Sequence, residues 1–232
     1  MLLSVLRQQV SNDPVAFEAR KSRLKRMLPI SDAHTSRLSH TIGKLHQRYF
    51  EDFVFIHISK CGGTSMERAL GVPLLNHDTA LERLNWLGPE KWERRFKFAL
   101  VRNPFDRIAS LYLYWQRDRP YSRDDLLDGW HPWLNRLSDR LSLGKIDRHT
   151  MPQWDWVSDG DGTLILDRVY KLEDIAAAER DLAEQLGRQI TMRRVKRQAQ
   201  PVDSRELLTP RARAQIVELY ADDFEKLDYA RA

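Results

Sequence analysis

The sequence predicts an α/β fold with a central, mainly parallel sheet flanked by helices. Two apolar runs, at residues 53–58 and 96–101, are each followed at once by a short loop and a segment of helical periodicity. A third alternation of strand and helix pattern follows at residues 163–186. Strand–helix repetition is the signature of parallel pairing, because parallel neighbours need a crossover and the crossover is usually a helix.

The first strand reads Phe53-Val-Phe-Ile-His-Ile58, β-branched and aromatic, of the length of a buried strand. From Thr64 onward Met66, Ala69 and Leu70 recur at helical spacing, and Thr64 or Ser65 can cap that helix. The second strand, Phe96 to Val101, is apolar apart from Lys97. Asn103 can cap the next helix, Pro104 suits its first position, and Phe105, Ile108, Ala109, Tyr112 and Trp115 form one apolar face. Residues 117–150, with Trp130, His131, Pro132 and Trp133 among many charges, read as irregular helices and loops. A strand at Thr163 to Tyr170, a helix from Asp174 to Leu186 stopped at Gly187, and a closing helix opening at Thr209-Pro210 complete the pattern.

Two helical patterns precede this core, opening at Asp13-Pro14 and at Ser31-Asp32. The organisation expected is an N-terminal helical extension over 1–50 and one α/β domain over 51–232. The extension can pack on the core, make a homodimer contact or help to bind a substrate.

Composition narrows the function classes. The chain has 232 residues, 42% of them hydrophobic, and no apolar run approaching the length of a membrane span. The start MLLSVLRQQVSNDP is interrupted by Arg7 and makes a poor signal peptide. One cysteine excludes an intramolecular disulfide and any multi-cysteine metal site, and no metal is expected. The net charge of +5 alone is compatible with nucleic acid. The basic cluster at 20–26, however, interleaves with Phe17, Leu24, Met27 and Leu28, as on the solvated face of an amphipathic helix, so nucleic acid is not the expected partner.

Two strand ends carry the chemistry. Gly62 and Gly63 let the backbone approach a ligand closely, and the helix start behind them offers free N–H groups and a positive dipole end. Lys60 adds a full charge, so the loop suits a phosphate or sulfate ester. It is not the loop G-x-x-x-x-G-K-[ST] of nucleotide triphosphatases, because here the lysine precedes the glycines and the first glycine is missing. Arg102 stands at the carboxyl end of the second strand, where ligands of open α/β sheets bind. Two such ends in one chain point to a ligand with two charged groups.

These residues resemble the sulfotransferase superfamily that uses 3′-phosphoadenosine-5′-phosphosulfate (PAPS), in its carbohydrate-type, family 2-like branch. That branch reads approximately H-x-P-K-T/C-G-G-T-S and later V-R-N-P-[FWY]-D-R-x-x-S-x-Y. Here the motifs stand as His57-Ile-Ser-Lys-Cys-Gly-Gly-Thr-Ser65 and Val101-Arg-Asn-Pro-Phe-Asp-Arg-Ile-Ala-Ser-Leu-Tyr112. Met151-Pro-Gln-Trp-Asp-Trp156, Leu166-Asp-Arg-Val-Tyr-Lys-Leu-Glu-Asp174 and Leu219-Tyr-Ala-Asp-Asp-Phe-Glu-Lys-Leu-Asp-Tyr229 extend the likeness over residues 51–229. Ser59, where proline is usual, and Cys61, where threonine is commoner, depart from it without removing a backbone donor.

The resemblance implies a P-loop-like three-layer fold and an O-sulfotransferase that moves the sulfuryl group from PAPS to an acceptor hydroxyl, leaving adenosine 3′,5′-bisphosphate. It assigns the 5′-phosphosulfate to Lys60, Cys61, Gly62, Gly63, Thr64 and Ser65, the 3′-phosphate to Arg102 and Ser110, and a catalytic cation to Lys60. His77 is the implied general base, with His149 as its rival and Glu67 a third candidate; His57 reads as a packed core histidine. The acceptor expected is a sugar hydroxyl or a glycosylated small molecule, and a bacterial, cytoplasmic setting is expected from the absent signal and anchor. Arg194, Lys196 and Arg197 are candidates for contacts with nucleotide or anionic acceptor. Cys61 is expected to be a partly exposed thiol of lowered pKa, and Asp106 and Arg107 to make exposed or intrahelical pairs. Two other classes stay open at this stage: a nucleotide or small-molecule kinase, and a noncatalytic carbohydrate- or nucleic-acid-binding relative.

Overall fold

The computed structural model describes residues 45, 47–72, 77–117, 121–193 and 202–231. The expectations placed on residues 1–44 and on Arg194, Lys196 and Arg197 lie outside these described residues.

Three strands, β1 (Phe53–Ile56), β2 (Phe96–Val101) and β3 (Arg168–Lys171), form a parallel sheet in the order β1-β2-β3. Phe53 pairs with Phe96 and Ala99 with Val169. All four residues of β1, and all of β2 after Phe96, are buried, as expected of a parallel sheet covered on both faces. The chain between β1 and β2 supplies helices α1 (Gly63–Leu70), α2 (Ala80–Leu87) and α3 (Pro89–Glu93). Between β2 and β3 run α4 (Pro104–Gln116), α5 (Arg123–Ser142) and α6 (Trp154–Val157). After β3 come α7 (Ile175–Leu186), α8 (Ser204–Leu207), α9 (Pro210–Leu219) and α10 (Ala221–Lys226).

The apolar side chains gather into two cores. One surrounds the sheet, with Phe55, Ile56, Met66, Phe98, Leu100 and Trp156 among its members. The other joins α4, α5, α9 and α10 through Phe105, Ile108, Tyr112, Trp130, Leu134, Ile216 and Phe224. Helix α4 therefore holds the second core in place against the carboxyl end of β2, where it continues from Arg102 and Asn103.

Three elements differ from the sequence reading. Helix α1 is capped by Gly62 in the left-handed conformation, φ +80°, with no side-chain cap, so Thr64 and Ser65 lie in its first turn. The third strand starts at Arg168 rather than Thr163, because Leu164 pairs with Ser158 in an isolated antiparallel bridge. Asp167 then binds Lys97 through both its own N–H and its carboxylate, 2.9 and 2.7 Å, before the ladder begins. The segment read as irregular contains the 20-residue helix α5, which keeps Pro132 in its interior. A capping box between Ser122 and Asp125 starts α5, and Leu126, Trp130, Leu134 and Leu137 form its buried stripe. Burying each of the leucines is worth about 1.5–3 kcal/mol, enough together to outweigh the roughly 3 kcal/mol that an interior proline costs.

Candidate functional site

The loop between β1 and α1 is shaped by two left-handed residues, Lys60 at φ +68° and Gly62 at φ +80°. For a lysine that conformation costs about 1–2 kcal/mol, a strain that is retained where the surrounding fold dictates it. The N–H groups of Ser65 and Met66 both turn back to the Gly62 carbonyl, at 3.0 and 3.1 Å. Those of Gly63 and Thr64 precede the helical ladder and lie at the positive end of the helix. Gly63 is required by its neighbour: a Cβ there would sit 1.9 Å from His57 Cδ2 and 2.2 Å from Nε2.

Lys60 and Arg102, from two strand ends, meet beside the face of α4 that carries Ser110 and Tyr114. Arg102 Nη1 donates to the Lys60 carbonyl oxygen at 3.4 Å. Lys60 Nζ lies 4.2 Å above the centre of the Tyr114 ring, and the Arg117 guanidinium carbon lies 4.0 Å from the same ring. Tyr114 is one helical turn beyond Ser110 on α4, so the ammonium, the half-buried serine and the aromatic ring share one side of that helix. Three basic side chains, Lys60, Arg102 and Arg117, thus stand between the first loop and the face of α4.

The sequence reading missed the residue that ties the two strand ends together. Gln153 Oε1 accepts from the Arg102 N–H at 2.8 Å and from Cys61 Sγ at 3.1 Å, while its Nε2 donates to the Arg102 carbonyl at 2.8 Å and to Asp223 Oδ2 at 3.1 Å. Its place inside the Met151–Trp156 motif was the available signal. Cys61 corrects an expectation: it is fully buried, and burial pushes its thiol up to about 12 instead of lowering it, because the chain packs Sγ beneath the loop. Arg107 is a second correction. It is fully buried rather than on the surface, donating from Nε to the Ser59 carbonyl at 3.2 Å and from Nη2 to the carbonyls of His149 and Met151 at 3.0 and 2.9 Å. Its guanidinium binds the first loop to the 149–151 segment.

Three imidazoles stand behind the loop. His57 is buried and pairs through Nδ1 with Glu67 Oε1 at 2.8 Å, which gives both residues structural work. His77 Nδ1 lies 3.0 Å from the His57 carbonyl oxygen; a carbonyl can only accept, so Nδ1 carries the proton and Nε2 of the neutral ring is left as an acceptor. Burial, then the charge of His57, holds the His77 pKa below the ordinary imidazole value, so the ring is a neutral base at pH 7. His149 Nδ1 lies 2.6 Å from Ser59 Oγ, and its ring centre is 5.2 Å from that of His77. Arg148 secures this corner, donating to the His77 carbonyl at 2.6 Å and gripping Glu82 through both terminal nitrogens at 2.5 and 2.7 Å.

The arrangement offers cations and backbone donors for an anion beside a neutral imidazole that can take a proton. Among the described residues no group of three or more His, Cys, Asp or Glu side chains is placed to hold a metal ion. Among them, too, no helix is long and apolar enough to cross a membrane. No curated protein and no solved structure gives a significant match to the chain. The model of the Sulfotransferase family, in its family 2 branch, matches residues 46–230, which span the sheet, Lys60, Arg102 and the imidazoles alike. The chain thus belongs to the sulfotransferase family, whose members transfer sulfuryl groups.

Proposed function

We propose that this protein is a PAPS-dependent O-sulfotransferase acting on a carbohydrate hydroxyl or a glycosylated small molecule. The observation that supports the reading is that the two strand ends carrying Lys60 and Arg102 touch, Arg102 Nη1 donating to the Lys60 carbonyl, with the Lys60 ammonium over Tyr114 of α4. The donor set fits a nucleotide with two anionic groups. The left-handed loop with its helix N–H groups, Thr64, Ser65 and Lys60 would hold the 5′-phosphosulfate, and the guanidinium of Arg102 with Ser110 the 3′-phosphate. Bound there, PAPS supplies an activated sulfuryl group on a phosphate leaving group.

The chain's own residues divide the remaining work. Lys60 Nζ brings a preorganised positive charge to where negative charge grows on the leaving phosphate oxygen; losing such a group costs about 3–4 kcal/mol of transition-state stabilisation. His77 Nε2 takes the proton of the acceptor hydroxyl as its oxygen bonds to sulfur, the geometry and neutrality of the ring suiting a base near pH 7. Gln153 and Arg107 keep the two strand ends and the imidazoles at fixed spacing through buried hydrogen bonds. A donor labelled in its sulfuryl group, incubated with a panel of saccharides, phenols and amines, tests the reading. Label in a sugar ester that disappears in Lys60→Ala and His77→Ala supports it; label in no acceptor, or only in amines, contradicts it.

A further inference from the structure

Ser59 stands where the resembling motif usually carries proline, and a proline could offer His149 no hydroxyl. Its Oγ is 2.6 Å from His149 Nδ1. Both residues are held from behind by one buried guanidinium, since Arg107 binds the carbonyl oxygens of Ser59 and His149. The His149 N–H is fixed in turn by Asp147 Oδ1 at 2.8 Å. The ring so placed stands edge-on to His77 at 78°.

We propose that Ser59 is a positioning residue which fixes the His149 ring against His77, so that the two imidazoles handle the acceptor's proton as one coupled unit. The inference rests on the assignment of His77 as the base. In the transfer step the acceptor O–H bond breaks, its oxygen bonds to sulfur as the bond from sulfur to the donor's phosphate oxygen breaks and the bisphosphate leaves, and the proton passes to His77 Nε2, which then carries a positive charge. A second charge on His149 opposes that one at the spacing observed. Like charges at that spacing repel, so protonation of one ring disfavours protonation of the other.

The other described groups near His77 have partners of their own. The His57 ring, 4.4 Å away, is bound to Glu67. Asp78 pairs with Arg83 at 3.3 Å, Arg148 is gripped by Glu82, and Trp156 closes the remaining side at 6.1 Å without a charge. Among the described residues the His149 ring is held by a hydroxyl rather than a carboxylate, which sets it apart from the ring of His57.

Nuclear magnetic resonance titration of the imidazoles, assigned by single substitution among the seven histidines, measures this directly. In the unsubstituted protein His77 should titrate in two steps, each mirrored in His149. Replacing the partner, His149→Gln, should raise the His77 midpoint by about one pH unit and leave a single step, the magnitude at which sites count as coupled. Ser59→Ala should move it part of the way, and Ser59→Thr, which keeps the hydroxyl, should restore the two-step curve. A single-step His77 curve in the unsubstituted protein, or one unchanged in His149→Gln, overturns the inference. The titration needs neither donor nor acceptor. Coupled histidines in a protein that transfers no label would sink the proposed function and leave only the pairing of the rings standing, whereas turnover with uncoupled histidines would sink this inference alone.

Discussion

Replacing Gly63 by alanine puts a methyl carbon 1.9 Å from His57 Cδ2, 2.2 Å from Nε2 and 2.6 Å from Cγ, so either the ring or the start of α1 must move. The ring has nowhere easy to go, because Nδ1 is bound to the fully buried Glu67 and the His57 carbonyl holds His77. Forcing an extra carbon into a packed interior costs about 1–3 kcal/mol. Losing the His57 to Glu67 hydrogen bond adds about 1.5–3 kcal/mol. At roughly 2–4 °C per kcal/mol for a chain of this size, Tm should fall by about 10 °C, read by differential scanning calorimetry. The control is a double-mutant cycle: in a His57→Ala background the clash is gone, and Gly63→Ala should cost less than about 1 kcal/mol. An unchanged Tm in Gly63→Ala, or the same loss in both backgrounds, would refute the packing argument.

The remaining predictions concern the site and its supports. Lys60→Ala should lower kcat about 10²- to 10³-fold with donor saturating, in a labelled-sulfate assay. Tyr114→Leu should weaken bisphosphate binding by about two- to fivefold and Tyr114→Phe should not, since an exposed cation–π contact is worth about 0.5–1 kcal/mol and the ring alone supplies it. Arg107→Met should cost about 3–5 kcal/mol in urea unfolding, because three carbonyls lose their charged donor inside the protein. The Cys61 thiol should resist alkylation at pH 8 in the folded state and react only on unfolding, since its pKa is raised and Sγ is buried; fast native labelling would contradict the site's packing. Glu82 is held at about 2, below its ordinary 4.5, chiefly by its hydrogen bond to Arg148. A depressed folded pKa gives stability that is present above pH 4.5 and lost as pH falls toward 2. The destabilisation caused by Glu82→Gln should therefore be seen at pH 7 and shrink toward pH 2, modestly because the pair is half-exposed.

What the sequence made legible was what periodicity and caps report. The runs at 53–58 and 96–101, Pro104 behind its Asn103 cap, and the Gly187 stop all appear in the fold, with only His57 and Ile58 left beyond the end of β1. The two strand ends carrying Lys60 and Arg102 could be paired from motif alone because both follow such runs. Helix α5 was obscured by Gly129 and Pro132, whose local cost is overridden by the buried stripe around Trp130. Arg107 and Gln153 escaped notice for a different reason. A charged or amide side chain is expected at the surface, and only tertiary packing shows that these two satisfy backbone groups of distant segments. Cys61 was misjudged likewise: a lysine next to it in sequence says nothing about which side of the loop the sulfur faces.

The central claim is that Lys60 and Arg102 grip the two anionic ends of one nucleotide, and isothermal titration with adenosine 3′,5′-bisphosphate addresses it without need of an acceptor. The unsubstituted protein should bind one equivalent without added metal, and Lys60→Ala and Arg102→Ala should each weaken it by about tenfold or more, the range of a hydrogen bond to a charged group. No binding by the unsubstituted protein, or the same affinity after Arg102→Ala, would contradict the account.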